Sequence, residues 1–471
     1  MANAFSTLRL AAAVTAGKAV ATVVRRLNRG GGTALPGLVA ERIEPRVVAR
    51  LAGQLGGGCV LVTGTNGKTT TSRVLASILR EARQPLLHNR EGSNLMRGIA
   101  SALLSAAGPS GRIAGSERML GLFETDEATL PAAARTLAPR AIAFTNLFRD
   151  QLDRYGEVDS VFEFWRRALA GTPASATLVL NADDPSVAEL AEGWSGPVEW
   201  FGLDAPEFAT TSGGAFDARW CRECGGTFEY DLRYFAHVGY WRCPGCGRAR
   251  VERPAVVARQ ITLSVESSMF VVDGLGAVTM PLTGLYNVSN ALAAIAMARV
   301  LGIEDGPIVR GLAGVEAAFG RQETVVVEGR KLRLMLVKNP AGANQVLQLL
   351  GALARSADSK PLHVAVLLND RFADGQDVSW TWDVDFEPLA QSLGRVWVGG
   401  TRAPDMALRL KYAHWPAAAA VEESPATLLD AILRDTSAGD DVFVVPTYTA
   451  LLDFRGELAR RGAVGEFWVH E

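Results

Sequence analysis

The chain carries no surplus of charge: 48 Lys and Arg stand against 50 Asp and Glu, leaving −2. Nucleic-acid binding by bulk electrostatics wants a basic stripe, so that class is disfavoured. No uncharged apolar run reaches about 18 residues, so no segment is expected to span a membrane. Residues 1–28 are rich in Ala, Val and Leu, but Arg9 and Lys18 interrupt them and Arg25 and Arg26 close them. That pattern reads as an amphipathic helix, leaning on the domain or on a membrane surface, more readily than as a cleaved leader. Lysine is absent between Lys68 and Lys331. No internal repeat or low-complexity tract occurs beyond the alanines of 417–420.

Cysteine is scarce, and four of the five residues form one constellation. Cys221-x2-Cys224 and Cys243-x2-Cys246 have the spacing of a double zinc knuckle, each pair placing two thiolates on one turn. Gly225, Gly226, Gly245 and Gly247 supply the tight turns. Two disulfides are the competing reading, which belongs to a secreted protein. Four thiolates leave no open coordination position, so Zn²⁺ here is expected to be structural. Cys59 falls in an apolar strand and is expected in the core.

What the chain has in full is a phosphate-binding signature. Residues 59–63 read as a buried strand, followed by Gly64-Thr65-Asn66-Gly67-Lys68-Thr69-Thr70 and a helix over 68–82. Such a turn aims backbone N–H groups and a helix N-terminus at a phosphate chain. Lys68 is placed to reach the β/γ-phosphates and the Thr69 hydroxyl to meet Mg²⁺. The strict P-loop pattern wants glycine where Val62 stands, so this is a shorter variant.

Further strand–helix alternation follows: 119–124; 140–146 then 158–170; 176–181 then 185–193. Continuous apolar strands between helices predict an α/β fold with a parallel sheet covered on both faces. The cysteine ribbon, about 215–255, interrupts it; strand-like 257–282 and a helix over 287–301 follow. The boundaries read as a helix and linker over 1–50 (Gly30–Gly32 and Pro36-Gly37 marking the linker), a central domain over 51–320 and a smaller α/β domain over 321–471. Its strands are expected near 332–338, 363–369, 395–399 and 441–446.

Polar residues crowd three strand ends: Glu124-Thr125-Asp126-Glu127, Thr145-Asn146 through Asp150, and Asn181-Ala182-Asp183-Asp184. At the carboxyl edge of a parallel sheet, that is where Mg²⁺ and phosphates are met, and Glu124 is the candidate metal ligand. Asn287 and Asn290 share a helical face suited to purine edges or ribose.

In this order, over about residues 55–325, these motifs resemble the Mur ligase family, whose members make amide bonds through acyl phosphates. The resemblance implies that Gly64, Asn66, Gly67, Lys68 and Thr69 hold the ATP triphosphate and Glu124 holds Mg²⁺. It places Asn290 at the adenine, Arg321 at the phosphates, and Asp183 and Asp184 at the nucleoside end. The chain departs from the family where Gln151 replaces a usual histidine. Arg166 and Arg167 occupy the stretch where a carbamylated lysine is usual, and the family's N-terminal nucleotide-sugar domain has no counterpart.

The run from Leu368 to Asp383 extends the resemblance to the amidating branch, the synthetase subunits of lipid II isoglutaminyl synthase. It implies amidation of the D-glutamate α-carboxylate of the lipid II stem peptide, in the cytoplasm or at the inner face of the plasma membrane. No glutaminase nucleophile is visible, which the same resemblance answers with a GatD-type glutamine amidotransferase partner. An aspartate among Asp370, Asp374, Asp377 and Asp383, interleaved with Trp380 and Trp382, would orient the partner's histidine. Asp383 is the first choice and Asp377 the second. Two rivals remain. One is a complete amino-acid ligase of the folylpolyglutamate type. The other is a zinc-ribbon nucleic-acid ATPase using Arg222, Arg233, Arg242, Arg248 and Arg250 with Tyr230, Tyr234 and Trp241.

Overall fold

The computed structural model describes residues 2–26, 34–89, 93–150, 158–210, 217–316, 321–355 and 360–465. Three helices open the chain: α1 (Ala2–Arg26), α2 (Ala34–Ile43) and α3 (Val47–Ala52). The linker expected at Pro36-Gly37 is instead the first turn of α2. Proline is tolerated there because its missing N–H has no partner in that turn. Gly37 lies so close to α5 (below) that a Cβ would sit 2.9 Å from the Arg97 carbonyl. The expected linker residues Gly30–Gly32 lie outside the described residues. Between Ser6 and Val24, α1 is long and apolar enough to cross a membrane by length and composition. The uncharged-run criterion passed over it because of Arg9 and Lys18. Here Leu10, Ala13 and Val14 are buried in the same core as α2 and α5.

The central domain then runs β1 (Cys59–Thr63), α4 (Lys68–Glu81), β2 (Leu86–His88), α5 (Met96–Ala106), β3 (Leu120–Glu124), α6 (Leu130–Leu137), β4 (Ala141–Phe144), α7 (Val158–Ala170), β5 (Thr177–Asn181), α8 (Pro185–Ala188) and β6 (Val198–Leu203). A hairpin, β7 (Glu229–Phe235) and β8 (Val238–Arg242), belongs to the cysteine ribbon. The expected strand region 257–282 resolves into an antiparallel meander, β9 (Val256–Leu263), β10 (Ser268–Val272) and β11 (Gly276–Met280), before α9 (Leu285–Val300) and α10 (Asp305–Ala313). The strands form one nine-stranded sheet, β11-β10-β9-β6-β5-β4-β1-β3-β2, parallel from β9 through β2. β1 is buried along its length because helices cover both faces. The alanines of α9 make it apolar all round, so it lies buried against α4.

The second domain holds β12 (Arg321–Val327), β13 (Arg330–Met335), α11 (Pro340–Ala354), β14 (Leu362–Leu367), β15 (Leu393–Gly399), α12 (Ala403–Tyr412), β16 (Ala420–Glu422), α13 (Pro425–Asp435), β17 (Asp441–Pro446) and α14 (Tyr448–Arg460). Its sheet order is β12-β13-β17-β14-β15-β16. The carboxyl ends of both sheets face one cleft, and the cavity described next is lined from both domains.

Candidate active site

The loop after β1 is held by backbone geometry and by its neighbour strand. Gly64 and Gly67 have φ of 136° and 85°. A Cβ on either would come within 2.0 Å of an oxygen, Thr145 Oγ1 and Asn290 Oδ1 respectively, so both positions require glycine. The Asn66 N–H donates to Asn146 Oδ1 at 2.8 Å, and its carbonyl accepts from Thr145 Oγ1 at 2.7 Å and Asn146 Nδ2 at 3.1 Å. The Thr65 hydroxyl accepts the Phe148 N–H at 3.0 Å. The polar crowd after β4 is thus a brace under the loop.

Lys68 Nζ donates to Glu127 Oε1 at 2.8 Å and to the Gly64 and Thr65 carbonyls. Burial works against the ammonium, but Glu127, Asp126 and Glu124 outweigh it and hold its pKa above the usual lysine value. The loop therefore presents a fixed positive charge beside three carboxylates. Glu124 ends β3, its backbone gripped by Asn89: the Glu124 N–H donates to Asn89 Oδ1, and Asn89 Nδ2 donates to the Glu124 carbonyl, both at 2.9 Å. Asn89 was missed, because a single Asn after a three-residue strand gives no signal. The Glu124 carboxylate and the Thr69 hydroxyl are hard oxygen donors on one cavity wall, a set that suits Mg²⁺.

The cavity holds about 350 Å³. Thr65 to Thr70, Glu124, Asn181, Asn287 and Asn290 line it, and Gln322, Lys338 and Gln345 close it from the second domain. Asn181 Nδ2 donates to the Thr145 carbonyl at 2.9 Å. Asp183 and Asp184, expected at the nucleoside end, do not line it. Both are fully buried under the ribbon: Asp183 accepts from Arg250 Nε and the Leu203 N–H, each at 2.7 Å. Asp184 caps α8 and accepts the Leu147 N–H. That strand end is the seat of the ribbon, with Trp241 Nε1 donating to the Ala182 carbonyl. Gln151 lies outside the described residues, as does the side chain of Arg321.

A second missed residue is Asn339, the N-cap of α11. Its Oδ1 accepts the Gly342 N–H at 2.8 Å, while its amide exchanges hydrogen bonds with the Asn66 side chain, both at 3.2 Å. One side chain thus ties the second domain to the phosphate loop. Gln322, held at φ 68°, makes another tie: its Oε1 accepts the Thr283 N–H at 2.9 Å.

The acidic segment divides by role. Asp370 pairs with Arg402 and Asp374 is buried against the Thr449 N–H. Asp377 accepts the Ser379 N–H just ahead of a short helical turn, and Asp383 pairs with Arg149. Asp377 and Asp383 are exposed; so are Phe372, Trp382 and Tyr412, of which the last two meet edge to face.

In the ribbon, the four cysteine Sγ atoms lie within 4.8 Å of one another, with Cys221–Cys246 at 3.6 Å and Cys224–Cys243 at 3.4 Å. Those separations are far beyond a disulfide's ~2.0 Å and near the ~3.8 Å edge of a zinc tetrathiolate. The two knuckles match: the Gly225 N–H donates to Cys221 O and the Gly247 N–H to Cys243 O. Burial pushes the Cys59 thiol up to about 12, which disfavours the reactive thiolate. The ribbon's Arg222, Arg242, Arg248 and Arg250 pair with carboxylates, and Tyr234 and Trp241 are buried, while Tyr230 and Arg233 are half-buried, which reduces the surface offered to a nucleic acid.

Comparison with known proteins agrees with this architecture. Residues 62–214 match the Mur ligase middle domain and residues 336–451 the MurT ligase C-terminal domain. The lipid II isoglutaminyl synthase (glutamine-hydrolyzing) subunit MurT of Streptococcus pneumoniae is 34% identical over 97% of this chain and 98% of its own. The same subunit of Staphylococcus aureus is 31% identical over 94% and 97%. Among solved structures, MurF from Acinetobacter baumannii superposes with a TM-score of 0.65 at 19% identity, covering 90% of this chain and 80% of MurF. That likeness speaks for the fold. With both domains matched in order and relatives aligned end to end, the chain belongs to the MurT family of Mur-type ligase subunits.

Proposed function

We propose that this chain is the synthetase subunit of a lipid II isoglutaminyl synthase, amidating the D-glutamate α-carboxylate of the stem peptide. The observation that carries it is the loop of Gly64 to Thr70 facing Glu124 in a cavity that the MurT-type domain closes. The substrate carboxylate oxygen attacks the γ-phosphorus of ATP and ADP leaves. Ammonia then attacks the acyl carbon, phosphate departs, and the nitrogen loses a proton. Lys68 steers and neutralises the phosphates, the loop N–H groups orient them, and closure by the second domain keeps water from the acyl phosphate. Mg²⁺, held by Thr69 and Glu124, would neutralise charge on the transferring phosphoryl group. Asn290 and Asn181 would meet the nucleoside, and Arg321 the phosphates. Zn²⁺ in the ribbon would be structural.

The ammonia would come from a GatD-type glutaminase seated at the exposed Trp382 and Tyr412 rings, with Asp383 orienting its histidine. The Arg149–Asp383 pair links that surface to the strand end bracing the phosphate loop. The chain would work in the cytoplasm at the inner face of the membrane. The test is incubation with lipid II, ATP and ammonium, followed by mass analysis of the stem peptide. Conversion of one carboxyl to an amide with matching ADP release is expected. Addition of a whole amino acid instead would establish the folylpolyglutamate-type alternative.

A further inference from the structure

The first forty residues carry Arg9, Lys18, Arg25, Arg26 and Arg29 and no acid at all; the first carboxylate is Glu41. This basic segment opens a chain whose net charge is −2. Residues 2–26 of it form α1, whose inner side packs on α2 and α5. Its outer row, Leu8, Ala12, Thr15, Ala19 and Val23, is exposed and uncharged. A helix face turned to water ordinarily carries charge. Among the described exposed positions of α1, Arg9 alone is charged, and Leu8 and Val23 are 69% and 55% exposed.

Apolar exposure is not confined to α1. Gly17 packs against Pro36 at the start of α2 and against Leu104 of α5, which fixes α1 on its neighbours by its inner side. Leu35, at the start of α2, and Leu95, which lines the active-site cavity, are also exposed.

We propose that the outer face of α1 docks the enzyme on an anionic lipid leaflet, lying in the plane of the interface. Its role in presenting a lipid-linked substrate rests on the reading given above. Three features choose a bilayer over a protein partner. The row is aliphatic and mostly small, without the aromatic anchors that concentrate binding energy in protein interfaces. In sequence the segment that carries it is basic, with no acid before Glu41, matching a negatively charged leaflet. The exposed Trp382 and Tyr412 rings, on the second domain, already offer the anchors a protein would use.

The test is co-sedimentation of the full chain with substrate-free vesicles, either phosphatidylcholine alone or phosphatidylcholine mixed with phosphatidylglycerol. Binding to the anionic vesicles that weakens with added salt is expected, with little binding to the neutral ones. Leu8→Glu combined with Val23→Glu should cut the partition coefficient by about tenfold or more. Both side chains are exposed, so the variant should melt as the parent does and amidate a lipid-free stem peptide equally well. The proposal fails if the parent ignores anionic vesicles, or if the double variant binds them as well as the parent does. Loss of the glutaminase partner or of a self-associated state in the variant, with vesicle binding unchanged, would make the row a protein interface and also overturn it. Because the vesicles hold no substrate, failure of the amidation reading leaves this result standing.

Discussion

On the proposed reading, nucleotide use depends on Lys68 and Glu124. Lys68→Ala leaves the loop's backbone contacts to Thr145 and Asn146 in place, so the fold should survive while ATP-dependent amidation falls on the order of 100-fold or more. Glu124→Ala should do the same and respond to raised Mg²⁺; steady-state rates across a Mg²⁺ series check both. Unchanged rates in either would remove the residue from the site. Asp383→Asn should impair glutamine-driven amidation much more than ammonium-driven amidation, because the aspartate sits on the surface and not in the cavity. Asp377, which accepts the Ser379 N–H, is the comparison. That Lys68, Thr69 and Glu124 share one cavity was legible because the loop motif has a spacing that chemistry demands. Asp183 misled: its place at a strand end beside Asn181 looks the same in sequence whether it meets a ligand or Arg250. Asn89 and Asn339 were illegible because their partners, Glu124 and Asn66, lie far away along the chain.

Among the elements, the ribbon should depend on its metal. Structural zinc contributes about 10–16 kcal/mol in small zinc peptides, so Cys221→Ser should release zinc and loosen the insertion. Metal analysis together with a thermal melt checks this, and a zinc-free wild-type protein would contradict it. The ribbon also buries Asp183 and Trp241 against β5, so its loss should weaken the neighbouring nucleoside end before it disturbs β1. Helix α11 makes a different prediction. Asn339→Asp keeps an N-cap oxygen but loses the amide that donates to Asn66, and places a second carboxylate beside Asp150. Its melting should stay near that of wild type while kcat/KM for ATP falls; a large drop in melting would make Asn339 a cap alone. The parallel strands were legible as apolar runs between helices. Helix α2 was not, because Pro36-Gly37 reads as a break until α5 is seen lying against Gly37. The meander β9 to β11 likewise merged into one strand-like stretch.

At the scale of the whole molecule, two α/β domains close on one cavity, and Cys59 is the described cysteine outside the four-cysteine cluster, buried at the start of β1. On the proposed reading the chain activates a carboxylate and takes its ammonia from a partner. The two-domain order and the four-cysteine insertion could be read from the sequence. How Asn339 and Gln322 tie the domains could not, because neither side chain announces a partner so remote along the chain. The measurement that tests the account most directly is lipid II amidation by the purified chain, with ammonium or with glutamine as the nitrogen source, before and after adding a glutaminase partner. The account predicts amide from ammonium alone, none from glutamine alone, and glutamine-driven product once the partner is present. Amide formed from glutamine by the isolated chain would contradict it.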